Sequence, residues 1–131
     1  MSKFVVFVNG AAYGSQHAHS ALQFCTAVIA GGHQLTQVFF YQEGVHNASA
    51  LLSPAADEPS LILGWQQLAQ QGVALVCCAS AALRRGVVDD AAAAELAVPH
   101  PQGNLTAPFR LGGLGEYVTA ANDADRVVQF G

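Results

Sequence analysis

The chain has 131 residues, of which 52% are hydrophobic and only 11% are charged, and its formal net charge is −4. This length suits a single domain, residues 1–131, and the apolar composition predicts that part of its surface contacts other subunits. With more acidic than basic residues, the chain lacks the basic surface that is typical of nucleic-acid-binding proteins, so we expect no direct nucleic-acid partner.

The first part of the chain alternates strand and helix patterns. A continuous apolar run, Phe4–Val8, predicts a strand that is covered on both faces. Apolar residues at helical spacing predict an amphipathic helix from Gln16 to Gly31, and Cys25 lies in its apolar stripe as a core residue. Leu35–Tyr41 is rich in aromatic and β-branched residues and predicts the second strand.

A second helix follows and leads to a strand that ends in two cysteines. The helix begins near Leu61 and ends at Gly72, and the third strand is Val73–Cys78. Successive side chains of a strand point to opposite faces, so Cys77 and Cys78 differ in surroundings. Because sites in α/β proteins lie at the carboxyl ends of the strands, we expect Cys78 to be exposed and Cys77 to be buried.

The last third of the chain predicts shorter elements. In chain order they are helical segments over Ala81–Arg85 and Val88–Leu96, a strand over Phe109–Leu111, a helix over Gly115–Ala121 and a strand over Asp125–Phe130. Strands that alternate with helices predict an α/β fold, a single-domain α/β/α sandwich with a parallel sheet.

Cys78 is the only candidate nucleophile with a supporting neighbourhood. A reactive thiolate needs positive charge and solvent access nearby. Arg84 and Arg85 are the nearest predicted cations and could favour the thiolate, although they could instead pair with Asp89 or Asp90.

Other polar residues near the strand ends carry weaker signals. His46 follows the second strand and could border the same crevice and act on a thiol. The Gly10–Ser15 turn lies where a phosphate loop would be, but it lacks the glycines and the lysine of such loops, and we interpret it as a tight turn with Tyr13 facing the crevice. His17 and His19 are two residues apart and predict surface positions, not a metal site.

The number of cysteines and the length of the apolar segments indicate the cellular compartment of the protein. Three cysteines fit neither a disulfide framework nor a zinc signature. The N-terminal apolar run is too short for a signal peptide, and no segment is predicted to span a membrane. We therefore expect a cytoplasmic protein with no metal and no membrane partner.

Several uncommon strings occur in order along nearly the whole chain. They include Gly10-x-Ala-Tyr-Gly14, Val38-Phe-Phe-Tyr-x-Glu-Gly-Val45, Trp65-Gln-Gln-Leu68, Ala81-Ala-Leu-Arg-Arg-Gly-Val-Val-Asp89 and Asp125-Arg-Val-Val-Gln-Phe-Gly131. With these strings the chain resembles the DsrE/DsrF-like family of small sulfur-relay proteins, and within that family the TusD (DsrE) type of subunit.

The resemblance implies a sulfurtransferase whose active cysteine is Cys78. This residue would accept sulfur as a persulfide from a TusA-like donor and pass it to a TusE-like acceptor, with no cofactor. TusC-like and TusB-like subunits would complete a heterohexamer, and the sulfur would serve 2-thiouridine synthesis at the tRNA wobble base. Cys77 departs from the family pattern, so it could be inert or could compete for the sulfur.

Three alternatives remain open from the sequence. A DsrE-type role in dissimilatory sulfur oxidation would use the same thiol. A non-catalytic structural subunit would need no thiol. A small-ligand-binding or nucleotide-binding module would use the Gly10–Ser15 turn.

Overall fold

The computed structural model describes residues 1–131 and is built around one five-stranded sheet. All strand pairs are parallel, as expected for strands joined by helices. The strands are β1 (Lys3–Val8), β2 (Gln34–Phe40), β3 (Ala74–Cys78), β4 (Arg110–Gly112) and β5 (Arg126–Phe130), and their order across the sheet is β4-β3-β2-β1-β5.

Five α-helices and one 3₁₀ helix connect the strands. They are α1 (His17–Ala30), the 3₁₀ segment (Gln42–Ala48), α2 (Leu61–Gln70), α3 (Ala79–Arg84), α4 (Asp90–Ala94) and α5 (Leu114–Asp123). Each predicted strand and helix is present, with bounds that differ by a few residues. The difference that matters most is at α3, which begins directly after Cys78.

Aromatic contacts show how the helices lie on the two faces of the sheet. On one face, where α1 and α2 pack together, Phe40 of β2 meets Trp65 of α2 edge-on, with ring centroids 5.1 Å apart. On the other face, Tyr117 of α5 lies 4.7 Å from Phe7 of β1 and 5.2 Å from Phe39 of β2. The predicted α/β/α sandwich with a parallel sheet is therefore confirmed.

The two faces are covered unequally. Helices α1 and α2 both contribute fully buried residues to the core, whereas α5 contributes none. Leu114 and Val118 of α5 are 44% and 51% exposed. Helix α5 thus presents two large apolar side chains at the surface of the chain.

The 3₁₀ segment was not predicted, because it has no apolar period of its own. It is held by close packing: a Cβ atom on Gly44 would overlap the carbonyl oxygen of Val8 at the end of β1. The buried amide of Asn47 donates hydrogen bonds to the carbonyls of Gly10 (3.0 Å) and Gly44 (2.9 Å) and accepts one from Trp65 Nε1 (3.1 Å). These contacts fix the segment over the carboxyl ends of β1 and β2.

Candidate functional site

Cys78 lies where a strand turns into a helix. It is the last residue of β3 and the N-cap residue of α3. Its register partner on the neighbouring edge strand β4 is Gly112, which has no side chain to place beside the thiol. The sulfur therefore sits at the carboxyl edge of a parallel sheet, the usual position of sites in this class of fold.

The two adjacent cysteines lie on opposite faces of the sheet. Cys77 pairs in register with Phe40, whose ring packs against α2. Val76 pairs with Phe39, whose ring faces α5, and Cys78 lies on the same face as Val76 because side chains repeat every second residue. The predicted difference in surroundings is thus confirmed: Cys77 faces the α1 and α2 layer, and Cys78 faces the α5 side.

The expectation that Cys78 is exposed is wrong for this chain on its own. Cys78 is 2% exposed, nearly as buried as Cys77 at 0%. The physical reason is that α3 starts at Ala79 and packs against the sheet and the 3₁₀ segment, so it covers the end of β3.

The three thiols differ in the groups around them. Burial raises the pKa of the Cys25 thiol to about 12, and burial followed by the proximity of Cys78 raises the pKa of the Cys77 thiol further. Both are kept in the protonated, unreactive form at neutral pH. All three cysteines are free, and the prediction that Cys25 lies in the core is confirmed.

A hydroxyl group lies next to the Cys78 sulfur. The distance from Cys78 Sγ to Ser80 Oγ is 3.5 Å, within hydrogen-bonding range for sulfur. When the sulfur is a thiolate it can only accept, so the serine hydroxyl would be the donor. Ser80 was not singled out from the sequence, although a small hydroxyl residue two positions after a strand-terminal cysteine is a signal that could have found it.

Arg85 does not pair with Asp89 or Asp90. Its Nε donates to Glu43 Oε1 at 2.8 Å, so the guanidinium is bound to the 3₁₀ segment. Asp89 instead caps α4 by accepting a hydrogen bond from the backbone N–H of Ala92 at 2.8 Å. The proposed pairing was based on proximity in sequence, whereas Glu43 reaches Arg85 only because the 3₁₀ segment packs against α3.

His46 is bound to the same carboxylate. Its Nε2 lies 3.3 Å from Glu43 Oε2. The contact that the structure shows for His46 is therefore with this carboxylate and not, as predicted, with the thiol. The Arg85 hydrogen bond, followed by weaker effects of the Arg85 and His46 charges, lowers the pKa of Glu43. The Glu43 carboxylate is thus held between the Arg85 guanidinium and the His46 imidazole.

The remaining candidates lie in other surroundings. The Tyr13 hydroxyl donates to the carbonyl of Pro59 at 2.8 Å, so this ring holds the loop before α2 and does not face an open crevice. His17 is exposed, as predicted, whereas His19 is partly buried. No three His, Cys, Asp or Glu side chains converge as a metal site would require.

The surface cavities lie away from the thiol. The largest, about 470 Å³, lies between α1 and α2 and is lined by residues such as Leu22, Thr26 and Gly64. None of the four cavities is lined by Cys78 or by the Gly10–Ser15 turn. Nothing in this geometry favours a small-ligand site at either place. None of the helices has both the length and the apolar character needed to cross a bilayer.

A family model and a solved structure both match this chain over nearly its whole length. The model of the DsrE/DsrF-like family matches residues 2–130. The crystal structure of the ychN protein from E. coli superposes with a TM-score of 0.79 and 22% sequence identity, covering 99% of this chain and 100% of that one. The structural match shows a shared fold, and the family model confirms the resemblance seen in the sequence strings.

Proposed function

The chain belongs to the DsrE/DsrF-like family, which is associated with sulfur transfer, and we propose that it is a sulfurtransferase subunit with Cys78 as its sulfur carrier. Cys78 would hold sulfane sulfur as a persulfide and pass it to the thiol of a partner protein. The reaction needs no cofactor, because the sulfur atom moves between thiols.

The position of Cys78 is the observation that carries this proposal. Of the three cysteines, it alone ends a strand at the carboxyl edge of the sheet and has a hydroxyl group within 3.5 Å of its sulfur. Cys25 and Cys77 have pKa values raised by burial, which makes both poor nucleophiles.

The transfer is a balanced exchange between sulfur atoms. The Cys78 thiolate attacks the outer sulfur of a donor persulfide, the sulfur–sulfur bond of the donor breaks, and the donor thiolate leaves. The outer sulfur, with its proton, is then bonded to Cys78. Attack by an acceptor thiolate on this outer sulfur repeats the same step and regenerates the Cys78 thiolate.

We place the chain in a protein-to-protein relay and not in direct contact with RNA. The donor would be TusA-like, the acceptor TusE-like, and the final product the 2-thiouridine of the tRNA wobble base. The net charge of −4 supports this placement, because a chain that binds tRNA directly would carry a basic surface. A DsrE-type role in sulfur oxidation would use the same thiol chemistry, and the identity of the acceptor separates the two.

We also propose that the chain functions in a heterohexamer with TusC-like and TusB-like subunits. The support is the exposure of two large apolar side chains of α5, Leu114 and Val118, at the surface. Exposed apolar side chains of this kind are typical of surfaces that contact another protein.

The test is sulfur acceptance by the purified chain. After incubation with a persulfidated TusA-like donor, peptide mass mapping should find one added sulfur atom on Cys78. Cys78→Ser should abolish the modification, and Cys77→Ser is the matched control, since it makes the same change one residue away. Modification of Cys77 in the wild type, or sulfur acceptance by Cys78→Ser, would refute the assignment. Absence of added sulfur on every cysteine of the wild type would favour a structural subunit.

A further inference from the structure

One guanidinium group joins the helix that follows Cys78 to the 3₁₀ segment. Arg85, directly after α3, donates from Nε to Glu43 Oε1 at 2.8 Å and from an Nη atom to Gln42 Oε1 at 3.3 Å. Its other Nη atom donates to the carbonyl of Ala81 inside α3 at 3.2 Å. The Arg85 side chain is 19% exposed and the Glu43 side chain 59%, so the guanidinium end of this ion pair is shielded from water and the carboxylate end is not.

The 3₁₀ segment offers a fixed support for this contact. The buried amide of Asn47 ties it to Gly10 and Trp65, and Gly44 lies directly against the backbone of Val8. A helix bound to this segment is therefore bound to the core of the protein.

Helix α3 is held in place by tertiary contacts, among them the burial of Ala81 and Ala82 in the core. It has six residues, and no side chain caps its N-terminus. A helix this short is unstable alone and depends on tertiary contacts. Because Cys78 is the N-cap residue, a displacement of α3 would also move the backbone that carries the thiol.

We propose that Arg85 is a positioning residue that clamps α3 onto the 3₁₀ segment and thereby keeps Cys78 buried, so that loosening the clamp exposes the thiol. The biological meaning rests on Cys78 as the sulfur carrier, but exposure is measurable without any sulfur transfer. This role differs from the one expected from sequence, in which the arginine charge would favour the thiolate. The two roles predict opposite effects of removing Arg85.

The experiment is alkylation of the native protein by iodoacetamide across a range of pH, with the three cysteines resolved by peptide mass mapping. Arg85→Gln should speed the alkylation of Cys78 by about fivefold, the effect of losing a partly shielded charged hydrogen bond, and leave the pH midpoint of the reaction unchanged. Glu43→Gln should have a similar effect, and the double variant should add little to it.

The neighbouring residue supplies a matched control. Arg84 is exposed and makes no ion pair, so Arg84→Gln removes the same charge without touching the clamp and should leave the rate unchanged. Arg85→Lys keeps the charge but cannot make all three hydrogen bonds of the guanidinium. Its rate of Cys78 alkylation should therefore lie between those of wild type and Arg85→Gln.

Cys25 and Cys77 report on unfolding in the same experiment, and their alkylation should stay slow in every variant. A rise shared by all three cysteines would show general loosening and would overturn a local clamp. If Cys78 of Arg85→Gln were alkylated more slowly, with the pH midpoint of the reaction moved to higher pH, the clamp would be overturned. The arginine charge would then act by favouring the thiolate. An unchanged rate would also refute the clamp. Sulfur acceptance by Cys78→Ser would instead refute the proposed function and leave the clamp standing.

Discussion

Cys77 and Cys78 are consecutive residues of β3, yet their side chains lie on opposite faces of the sheet. Cys77 is beside Phe40, under α2, and Cys78 is on the side of Val76, toward α5. Both are almost fully buried. What distinguishes them is that Cys78 is also the N-cap residue of α3, whereas Cys77 lies inside the strand.

Ser80→Ala should weaken sulfur acceptance. The hydroxyl lies 3.5 Å from the Cys78 sulfur, and a hydrogen bond to a charged group contributes enough that its loss should slow acceptance by about tenfold. Ser80→Thr keeps the hydroxyl and should restore most of the rate. Ser60→Ala is the control, because Ser60 stands at the N-cap of α2 without a side-chain capping bond. Equal rates in Ser80→Ala and wild type would rule out a role for the hydroxyl.

The protein should lose stability at alkaline pH through its buried thiols. The pKa of Cys25 is raised from 9.0 to about 12, so above pH 9 the unfolded chain releases this proton while the folded chain keeps it. The free energy of unfolding should therefore fall as pH rises, by up to about 1.4 kcal/mol per pH unit for this group.

Urea unfolding at several pH values, compared between wild type and Cys25→Ala, isolates this effect. The variant should be less stable at neutral pH, because a buried side chain is shortened, but its stability should fall less steeply above pH 9. Parallel pH profiles for the two proteins would contradict the raised pKa of Cys25.

Asn47→Ala should destabilise the protein strongly. This buried amide makes three hydrogen bonds, to the carbonyls of Gly10 and Gly44 and from the indole of Trp65. Its removal leaves buried polar groups unpaired, so the free energy of unfolding should fall by about 3 kcal/mol. The exposed Asn122→Ala is the control, and urea unfolding is the measurement. If Asn47→Ala lowered the free energy of unfolding no more than Asn122→Ala does, water would be replacing the hydrogen bonds of the Asn47 amide.

The chain should assemble through the face covered by α5. Light scattering should show species larger than a monomer for the chain with TusC-like and TusB-like partners. Val118→Glu, at a position 51% exposed, should shift the mixture toward smaller species, because it places a charge in an apolar interface. Leu63→Glu makes the same kind of change on α2, 58% exposed, and should have no effect. If Leu63→Glu reduced assembly and Val118→Glu did not, the interface would lie on the α1 and α2 layer instead.

Binding of tRNA by the isolated chain should be weak. A net charge of −4 repels phosphate and offers few cations that could release counterions. Filter-binding titrations at low and moderate salt are the test. Tight binding with a steep salt dependence would contradict the relay and would indicate that this chain acts on tRNA directly.

Much of the fold was readable from the sequence. Apolar runs and helical spacing predicted all five strands and the α-helices between them, because burial of one face imposes a local period on the residues. The same logic placed Cys25 and Cys77 in the interior and Cys78 at the end of β3. The 3₁₀ segment escaped prediction because close backbone packing, not a period, holds it there.

The sequence by itself thus determined which segments form strands and α-helices and where the candidate thiol stands along the chain. Only the tertiary structure decided that α3 covers Cys78 and that Arg85 binds Glu43, 42 residues away, instead of a nearby aspartate. The physical reason is that burial preferences are properties of each residue and its close neighbours. Contacts between residues that are distant in sequence depend on how whole helices and strands pack together. The local sequence pattern does not predict them.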